Sequence, residues 1–332
     1  MHQPRRPTLG DVAARVGVTR MTVSRALRNP AAVSEALRRR ILEAADALGY
    51  VASRAPSMLS RARSRSIGIL VPSVTNQVFA DVLAGATDAA DAADRRLMIA
   101  HYGYDPAAEE RAIASLLSYG VDALILSDRE HTARALRLIE AAALPVVEIM
   151  DVRSPALQQT VGFDNVDAAY EMTRAMIARG RRRIAYAAVR LDPRTRQRQD
   201  GYARAMAEAG LEPRVVESAE KSSFALGATM VASLLDGPAP ADGLFCTNDD
   251  IAVGACFELR RRGLEAPGPI SVAGFHGLDV GQAMTPRLAS VFTPRAEMGS
   301  LAVECVLARL GGAAHEPASI DLGYRIDEGE TL

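Results

Sequence analysis

At 332 residues, 48% hydrophobic and 24% charged, the chain has material for two or three globular domains, and no apolar run nears the roughly 18 residues of a membrane span. Three scattered cysteines (Cys246, Cys256, Cys305) exclude a disulfide framework and a cysteine-built metal site, and no apolar stretch follows the charged N-terminus, so the cytoplasm is the expected compartment. The net charge of −1 conceals a split: residues 1–65 carry 13 arginines against four acids (+9), and the remainder 26 bases against 36 acids (−10). Such a head suits a polyanion-binding module on a regulatory body, or a solvated basic tail.

Thr8 to Val16 reads as a short helix, with Thr8 as cap, Asp11 three residues on, and Val12 and Val16 on one face. Gly17 ends it. Thr19 caps a second helix, Arg20 to Arg28, with Val23 and Leu27 inward and Arg20, Met21, Ser24, Arg25 and Arg28 outward, until Asn29-Pro30 stops it. Ser34 caps a third, Glu35 to Leu48, with Leu37, Ile41, Ala44, Ala45 and Leu48 buried and Gly49 as the stop. Two short helices joined at Gly-Val and backed by a third form a helix-turn-helix, whose second helix enters the major groove. Arg20 and Arg25 suit guanine or phosphate, Met21 a thymine methyl, and Thr22 and Ser24 phosphates. Spacing alone also admits a three-helix packing module with a charged face.

The run from Thr8 to Leu27, followed by Val33-Ser34 and Leu48-Gly-Tyr50, resembles the head of the lac-repressor (LacI/GalR) family over about 50 residues in register. The resemblance implies a DNA-contacting set of Thr8, Thr19, Arg20, Met21, Thr22, Ser24, Arg25, Arg28 and Asn29. Residues 51–65, small, polar and basic, would alone be a linker. The resemblance makes them a hinge that becomes a helix on operator, with Pro56 in its first turn and Leu59 wedged between base steps in the minor groove.

From Ser66 apolar strands alternate with helical stretches. Strands are predicted at Ile67–Val71, Leu97–His101, Ala123–Leu126, Val146–Met150, Val161–Phe163, Ile184–Val189, Gly243–Cys246 and Ser271–Phe275. Helices are predicted near 76–93, 106–119, 132–143, 165–180, 196–210, 224–236, 248–263 and 295–310. Repeated β-α gives parallel sheets with helices on both faces, enough for two sheets. The fold class is therefore an all-α helix-turn-helix head followed by an α/β body of two doubly wound lobes. The family resemblance makes that body periplasmic-binding-protein-like, with three crossovers and a ligand in the cleft. The domains are 1–50 (head), 51–65 (hinge), 66–164 plus 294–322 (first lobe) and 165–293 plus 323–332 (second lobe). Ligands in open α/β sheets sit beyond the carboxyl ends of the strands.

Pro72 to Phe79, Ala100 to Tyr104, Val161 to Asn165, Cys246 to Asp250, Ala273 to Gly277, Thr293 to Arg295 and Met298-Gly299 resemble the gluconate-operon repressors within that family. His276 stands where members that bind neutral sugars or purines carry aspartate, which would repel an anion; a histidine donates hydrogen bonds or carries charge. Ser222 or Ser223 replaces a stacking aromatic. Arg198 matches the family's ligand-gripping arginine, and Arg295 offers a second guanidinium for a carboxylate. Asp151, Asn248 and Asp249 suit hydroxyls, Val78 and Phe79 an apolar wall, and Arg194 lies in a charged loop whose reach is open. Residue by residue, Arg295 also suits a helix cap or a Glu297 pair, Asp249 a helix cap, and His276 a turn. One acid end and several hydroxyls describe an aldonic acid such as gluconate.

The chain holds no GxxxxGK[ST], G-x-S-x-G or HExxH, and its five histidines are dispersed; no enzyme, cofactor or metal is expected. The expected partners are a palindromic operator DNA, a small-molecule effector and a second copy of the chain, with no membrane. The sequence has no heptad tail, so a dimer is expected. A solute-binding protein shares the body but has no use for a +9 head. A 2-ketogluconate, a phosphorylated sugar acid or a neutral sugar is the rival effector.

Overall fold

The computed structural model describes residues 7–29, 32–51, 64–153, 155–314 and 316–332. The chain divides into an N-terminal unit, Met1–Ser64, and a body, Arg65–Leu332.

In the head, α1 (Leu9–Val16) opens on a capping box: Asp11 Oδ2 accepts the Thr8 backbone N–H at 2.7 Å, and Thr8 Oγ1 accepts the Asp11 N–H at 3.4 Å. Gly17 ends it at φ 76°, a left-handed cap that glycine adopts without Cβ strain. α2 (Arg20–Arg28) is capped by Thr19, which accepts the Thr22 N–H at 3.2 Å. Ser34 occupies the cap of α3 (Glu35–Leu48) without a side-chain bond; Glu35 supplies negative charge to that helix start. Val12, Val16, Val23, Ile41, Ala44 and Ala45 close one core, and Leu27, Leu37 and Leu48 flank it. This is the helix-turn-helix the spacing predicts. The hinge residues 52–63, with Pro56 and Leu59, lie outside the described residues.

The body holds two six-stranded sheets. In the first, β1 (Ser66–Val71) lies between edge strand β2 (Arg96–His101) and β3 (Ala123–Leu126); β4 (Val146–Ile149), β5 (Gln159–Gly162) and β11 (Ser319–Asp321) continue it, all parallel. The second runs β7 (Arg214–Ser218), β6 (Ile184–Val189), β8 (Gly243–Cys246), β9 (Ser271–His276) and β10 (Ala289–Phe292) in parallel, with β12 (Arg325–Asp327) antiparallel on β10. Central strands are apolar because both faces are covered: all six residues of β6 are buried.

The covering helices are α4 (Gln77–Ala92), α5 (Pro106–Ser118), α6 (Ala133–Ala142) and α12 (Arg295–Leu310) on the first sheet. On the second they are α7 (Asn165–Ala178), α8 (Pro193–Glu208), α9 (Phe224–Asp236), α10 (Asp249–Arg261) and the short α11 (Asp279–Ala283). The chain changes sheet after β5, after β10 and between β11 and β12. Where α4 crosses α12 the backbones nearly touch: a Cβ on Gly85 would fall 2.0 Å from Ala296 O, and one on Gly299 2.0 Å from Val82 O. Only glycine fits there.

The structure adds β7, β10, β11, β12 and α11 to the predicted elements. β7 is a half-buried edge, β11 and β12 have three residues each, and β10 is short with a serine inside it. α8 begins at Pro193, earlier than the predicted 196, because Asp192 caps it by accepting the Thr195 N–H at 2.8 Å and proline suits the first turn.

Candidate functional site

On the head, Arg20, Met21 and Arg25 are exposed on one face of α2 while Val23 and Ala26 are buried on the other. Thr22 and Ser24 are half-buried between them. Arg20 brings a cation to a helix N-terminus, where the macrodipole disfavours it, and α2 has no acid in its first turn. A face with that penalty and a 70%-exposed methionine is built for something other than the head's own core. Thr8 and Thr19 are exposed but spend their hydroxyls on caps. Asn29 is exposed at the end of α2, its N–H on Arg25 O at 2.8 Å. The Arg28 side chain lies outside what is described, as does Leu59.

In the body, the strand ends build a cleft in two compartments. The inner one, about 10 Å³, is lined by Val78, Phe79, Met150, Asp192, Arg194, Arg198, Asn248 and His276. The outer one, about 620 Å³, opens past Pro72–Gln77, His101 and Lys221–Phe224. Asn76, Tyr104 and Arg190 line both. Asn76 caps α4 through the Val78 N–H at 3.1 Å, which places Val78 and Phe79 in the first turn, facing the cleft. Past β6, Arg190 and Leu191 are left-handed (φ 70° and 55°), and Asp192 then starts α8. Four residues apart on that helix, Arg194 and Arg198 share one face.

Arg198 is buried, with every guanidinium nitrogen hydrogen-bonded. Its Nε donates to Asn165 Oδ1 (2.9 Å), Nη1 to Thr247 O (2.7 Å) and Nη2 to His276 Nε2 (3.2 Å), with the guanidinium 3.8 Å from the Phe275 ring centre. Burial lowers its pKa to about 10. Arg194 donates Nη1 to Ser127 O at the end of β3, and its Nη2 lies 3.6 Å from Asp192 Oδ2. Burial would raise the Asp192 carboxyl; Arg194 and Arg190 outweigh it and hold it at about 2. The pocket thus sets three guanidiniums against one carboxylate.

Several predicted site residues take other roles. His276 does not carry charge: burial, then Arg198 and Arg295, push its pKa well below 6.5. A guanidinium only donates, so Nε2 accepts from Arg198, and Nδ1 holds the proton shared with Thr293 Oγ1 at 3.1 Å. Asp249 is buried and lines neither compartment. Its carboxylate takes the Leu278 N–H and the Ser290 hydroxyl (2.6 Å), tying the loop after β9 to β10. Asp151 is buried and lines neither compartment, accepting from Arg153 N (3.0 Å) and Gln197 Nε2 (3.1 Å). Arg295 turns to Asp81 on α4 and to the His276 carbonyl, and neither caps its helix nor lines either compartment. Ser222 joins Lys221 in the outer compartment.

Arg190, Tyr104 and Asn76 were not singled out as site residues from sequence. The rule that ligands sit past strand ends reached their segments, but which side chain turns inward depends on left-handed backbone at Tyr104 (φ 63°) and Arg190.

Residues 8–53 match the bacterial regulatory proteins of the lacI family, and residues 64–322 match the periplasmic binding proteins and sugar binding domain of the LacI family. The chain belongs to the LacI family. It is 52% identical to the HTH-type transcriptional regulator GntR of Escherichia coli K12 across 99% of both chains. It is 42% identical to the HTH-type transcriptional regulator IdnR of the same strain, across 98% of this chain and 99% of that one. The crystal structure of a LacI-family transcriptional regulator from Silicibacter pomeroyi superposes with a TM-score of 0.91 at 33% identity, covering 98% of this chain and 99% of that one. These full-length likenesses agree with the resemblance to gluconate-operon repressors. As a LacI-family member the chain is a DNA-binding transcriptional repressor and not an enzyme. Among the described residues no helix is long and apolar enough to cross a membrane.

Proposed function

We propose that this repressor binds a sugar acid, gluconate or a close relative, in the cleft between the two sheets, and that this ligand sets its affinity for operator. The observation that carries the reading is the charge of the inner compartment: Arg190, Arg194 and Arg198 against Asp192 alone, with His276 neutral. A partly desolvated site of that sign favours an anion and disfavours a neutral sugar. Val78 and Phe79 supply an apolar wall, and Ser222 in the outer compartment leaves room for an acyclic chain where an aromatic would not.

The cleft also joins the two sheets. Arg194 and Gln197 on α8 reach Ser127 and Asp151 of the first sheet, and Asn165 Nδ2 reaches Met150 O at 2.9 Å. A ligand drawing on these side chains changes the set of the lobes, and a coupling of about 1–3 kcal/mol changes operator affinity about 5- to 150-fold. In this reading residues 1–50 contact a palindromic operator as half of a cytoplasmic homodimer, 51–65 form the hinge with Leu59 as wedge, and 66–164 plus 294–322 and 165–293 plus 323–332 are the lobes.

Isothermal titration of the full chain with gluconate, 6-phosphogluconate, 2-ketogluconate and ribose tests it. One sugar acid binding at micromolar concentration, with ribose silent, is the expected result. Ribose binding alone, or no binding at all, overturns the effector reading and leaves the repressor assignment intact.

A further inference from the structure

The cleft's guanidiniums differ in what they have left to give. Arg198 spends all three nitrogens on protein acceptors. Arg194 donates Nη1 to Ser127 O, its Nη2 stands 3.6 Å from Asp192 Oδ2, and none of its nitrogens is buried without a partner. Arg190 spends only Nη2, on Asn248 Oδ1 at 3.2 Å; its Nε and Nη1 are buried without a hydrogen-bond partner. Its side chain is 9% exposed, and Asp192 Oδ2 lies 3.6 Å from Nε, a charge balance and not a bond.

Asn248 completes the feature. It is 1% exposed, and its Oδ1 accepts from Arg190 Nη2 and, at 3.5 Å, from Arg198 Nη1. Two guanidiniums on the oxygen fix the amide's orientation, which leaves Nδ2 as a buried donor with no acceptor. Both residues line the inner compartment. Buried donors without partners are costly, and they persist where something outside the fold satisfies them. The backbone points the same way: Arg190 and Leu191 adopt consecutive left-handed conformations without being glycine, strain that clusters at ligand sites. That turn is anchored by the Arg190 N–H on Ser218 O at 2.9 Å.

We infer that Arg190 and Asn248 form the carboxylate seat of the cleft, with Arg190 Nη1 and Asn248 Nδ2 donating to the acid end of the effector. The two seat atoms are both donors, and the one carboxylate beside them, Asp192, is already balanced by Arg190 and Arg194. A hydroxyl there would bring a proton needing an acceptor; an ionised carboxylate is acceptor-only and brings none. Tyr104 stands over the Arg190 guanidinium, 5.4 Å from ring centre to Cζ, and lines both compartments. The inner compartment as it stands, about 10 Å³, is too small for a carboxylate, so a bound acid requires it to merge with the outer one, which Tyr104, Asn76 and Arg190 also line. The inference rests on the sugar-acid reading and gives the discriminating role to a residue other than Arg198.

The test is titration of the full chain and of its Arg190→Gln and Arg190→Lys variants with the same three sugar acids, and with gluconamide, the neutral isostere of gluconate. The wild type is expected to prefer an acid over its amide by at least tenfold. Arg190→Gln is expected to lose acid affinity at least tenfold, so that the preference collapses towards unity; Arg190→Lys retains part of it. Selectivity between two ligands of one shape is a readout that general loosening of the fold does not move. If the wild type binds an acid and Arg190→Gln binds it within twofold with selectivity intact, the seat is wrong and the sugar-acid reading stands. If the wild type binds no acid, both fall together.

Discussion

Arg295, at the first turn of α12, gives Nε and Nη2 to a single oxygen of Asp81 at 2.9 and 2.7 Å, and Nη1 to the carbonyl of His276. One guanidinium therefore pins α4, the start of α12 and the corner where β9 ends at a left-handed His276 (φ 100°). A residue whose type suggests ligand gripping here positions a residue of the cleft wall.

Arg295→Ala is accordingly expected to act at a distance. Freeing the His276 carbonyl costs about 1–3 kcal/mol of stability and several-fold in effector affinity, while the preference for gluconate over gluconamide survives. Chemical denaturation beside titration checks this; loss of acid selectivity would return Arg295 to direct contact.

The first sheet contains a buried ionic cluster. His131 Nδ1 lies 3.0 Å from Glu109 Oε2, its Nε2 3.5 Å from Glu148 Oε1, and Arg129 Nη1 3.1 Å from Glu148 Oε2. Burial alone would lower the His131 pKa; the hydrogen bond to Glu109 and the nearby Glu148 carboxylate outweigh it and hold it at about 9. The folded state thus keeps a proton that the unfolded chain releases near pH 6.5. The stabilisation, on the order of 3 kcal/mol, is complete below pH 6.5 and lost as pH rises through 9. Urea midpoints at pH 6, 7.5 and 9 for the wild type and His131→Gln measure it: the wild type falls across this range and the variant falls less.

Asp249 titrates in a lower window. Burial raises its carboxyl to about 7 against the bonds from Ser290 and Leu278. Between about pH 4 and 7 the folded state holds a proton that the unfolded state has lost, so this group lowers stability as pH rises. Asp249→Asn should flatten the stability–pH curve over that interval and change effector affinity by less than threefold. A tenfold loss of affinity would mean the carboxylate reaches the ligand after all.

Gly299→Ala tests the crossing of α4 and α12. A methyl 2.0 Å from Val82 O forces the helices apart, and overpacking of this kind costs about 1–3 kcal/mol. Thermal unfolding should show the loss, with operator contacts of the head unaltered.

Met21→Ala separates stability from recognition on the head. At 70% exposure Met21 contributes little to the core, so stability should move by less than about 0.5 kcal/mol. Base preference, measured by selection from random duplexes, should change; an unchanged preference would remove Met21 from the reading set.

The legible parts of the fold are those whose physics is local. β6 and β8 read directly because central parallel strands are apolar throughout, and α9 and α12 end where the pattern ends. β11 and β12 did not read, because three residues held by pairing alone leave no periodicity. In the cleft, Arg194, Arg198, Asn248 and His276 converge as strand-end reasoning anticipates. Asp249 and Arg295 went elsewhere because their partners, Ser290, Asp81 and the His276 carbonyl, arrive from distant loops and helices. Arg190 escaped notice because its inward turn needs a left-handed backbone that sequence rules reserve for glycine or asparagine.

The three changes of sheet also dictate an order of events on the ribosome. The lobe that begins at Ser66 is not complete until α12 and β11 have been made, the latter ending at Asp321. At roughly 5–20 residues per second, the nascent chain waits on the order of ten seconds between β5 and α12 with the Gly85 face of α4 uncovered. By then nearly all of the second lobe has emerged. Neither lobe is thus a separable piece: a chain cut anywhere before Asp321 leaves the first sheet unfinished and the second without β12, whereas the head's helices, closed within residues 8–49, can fold first.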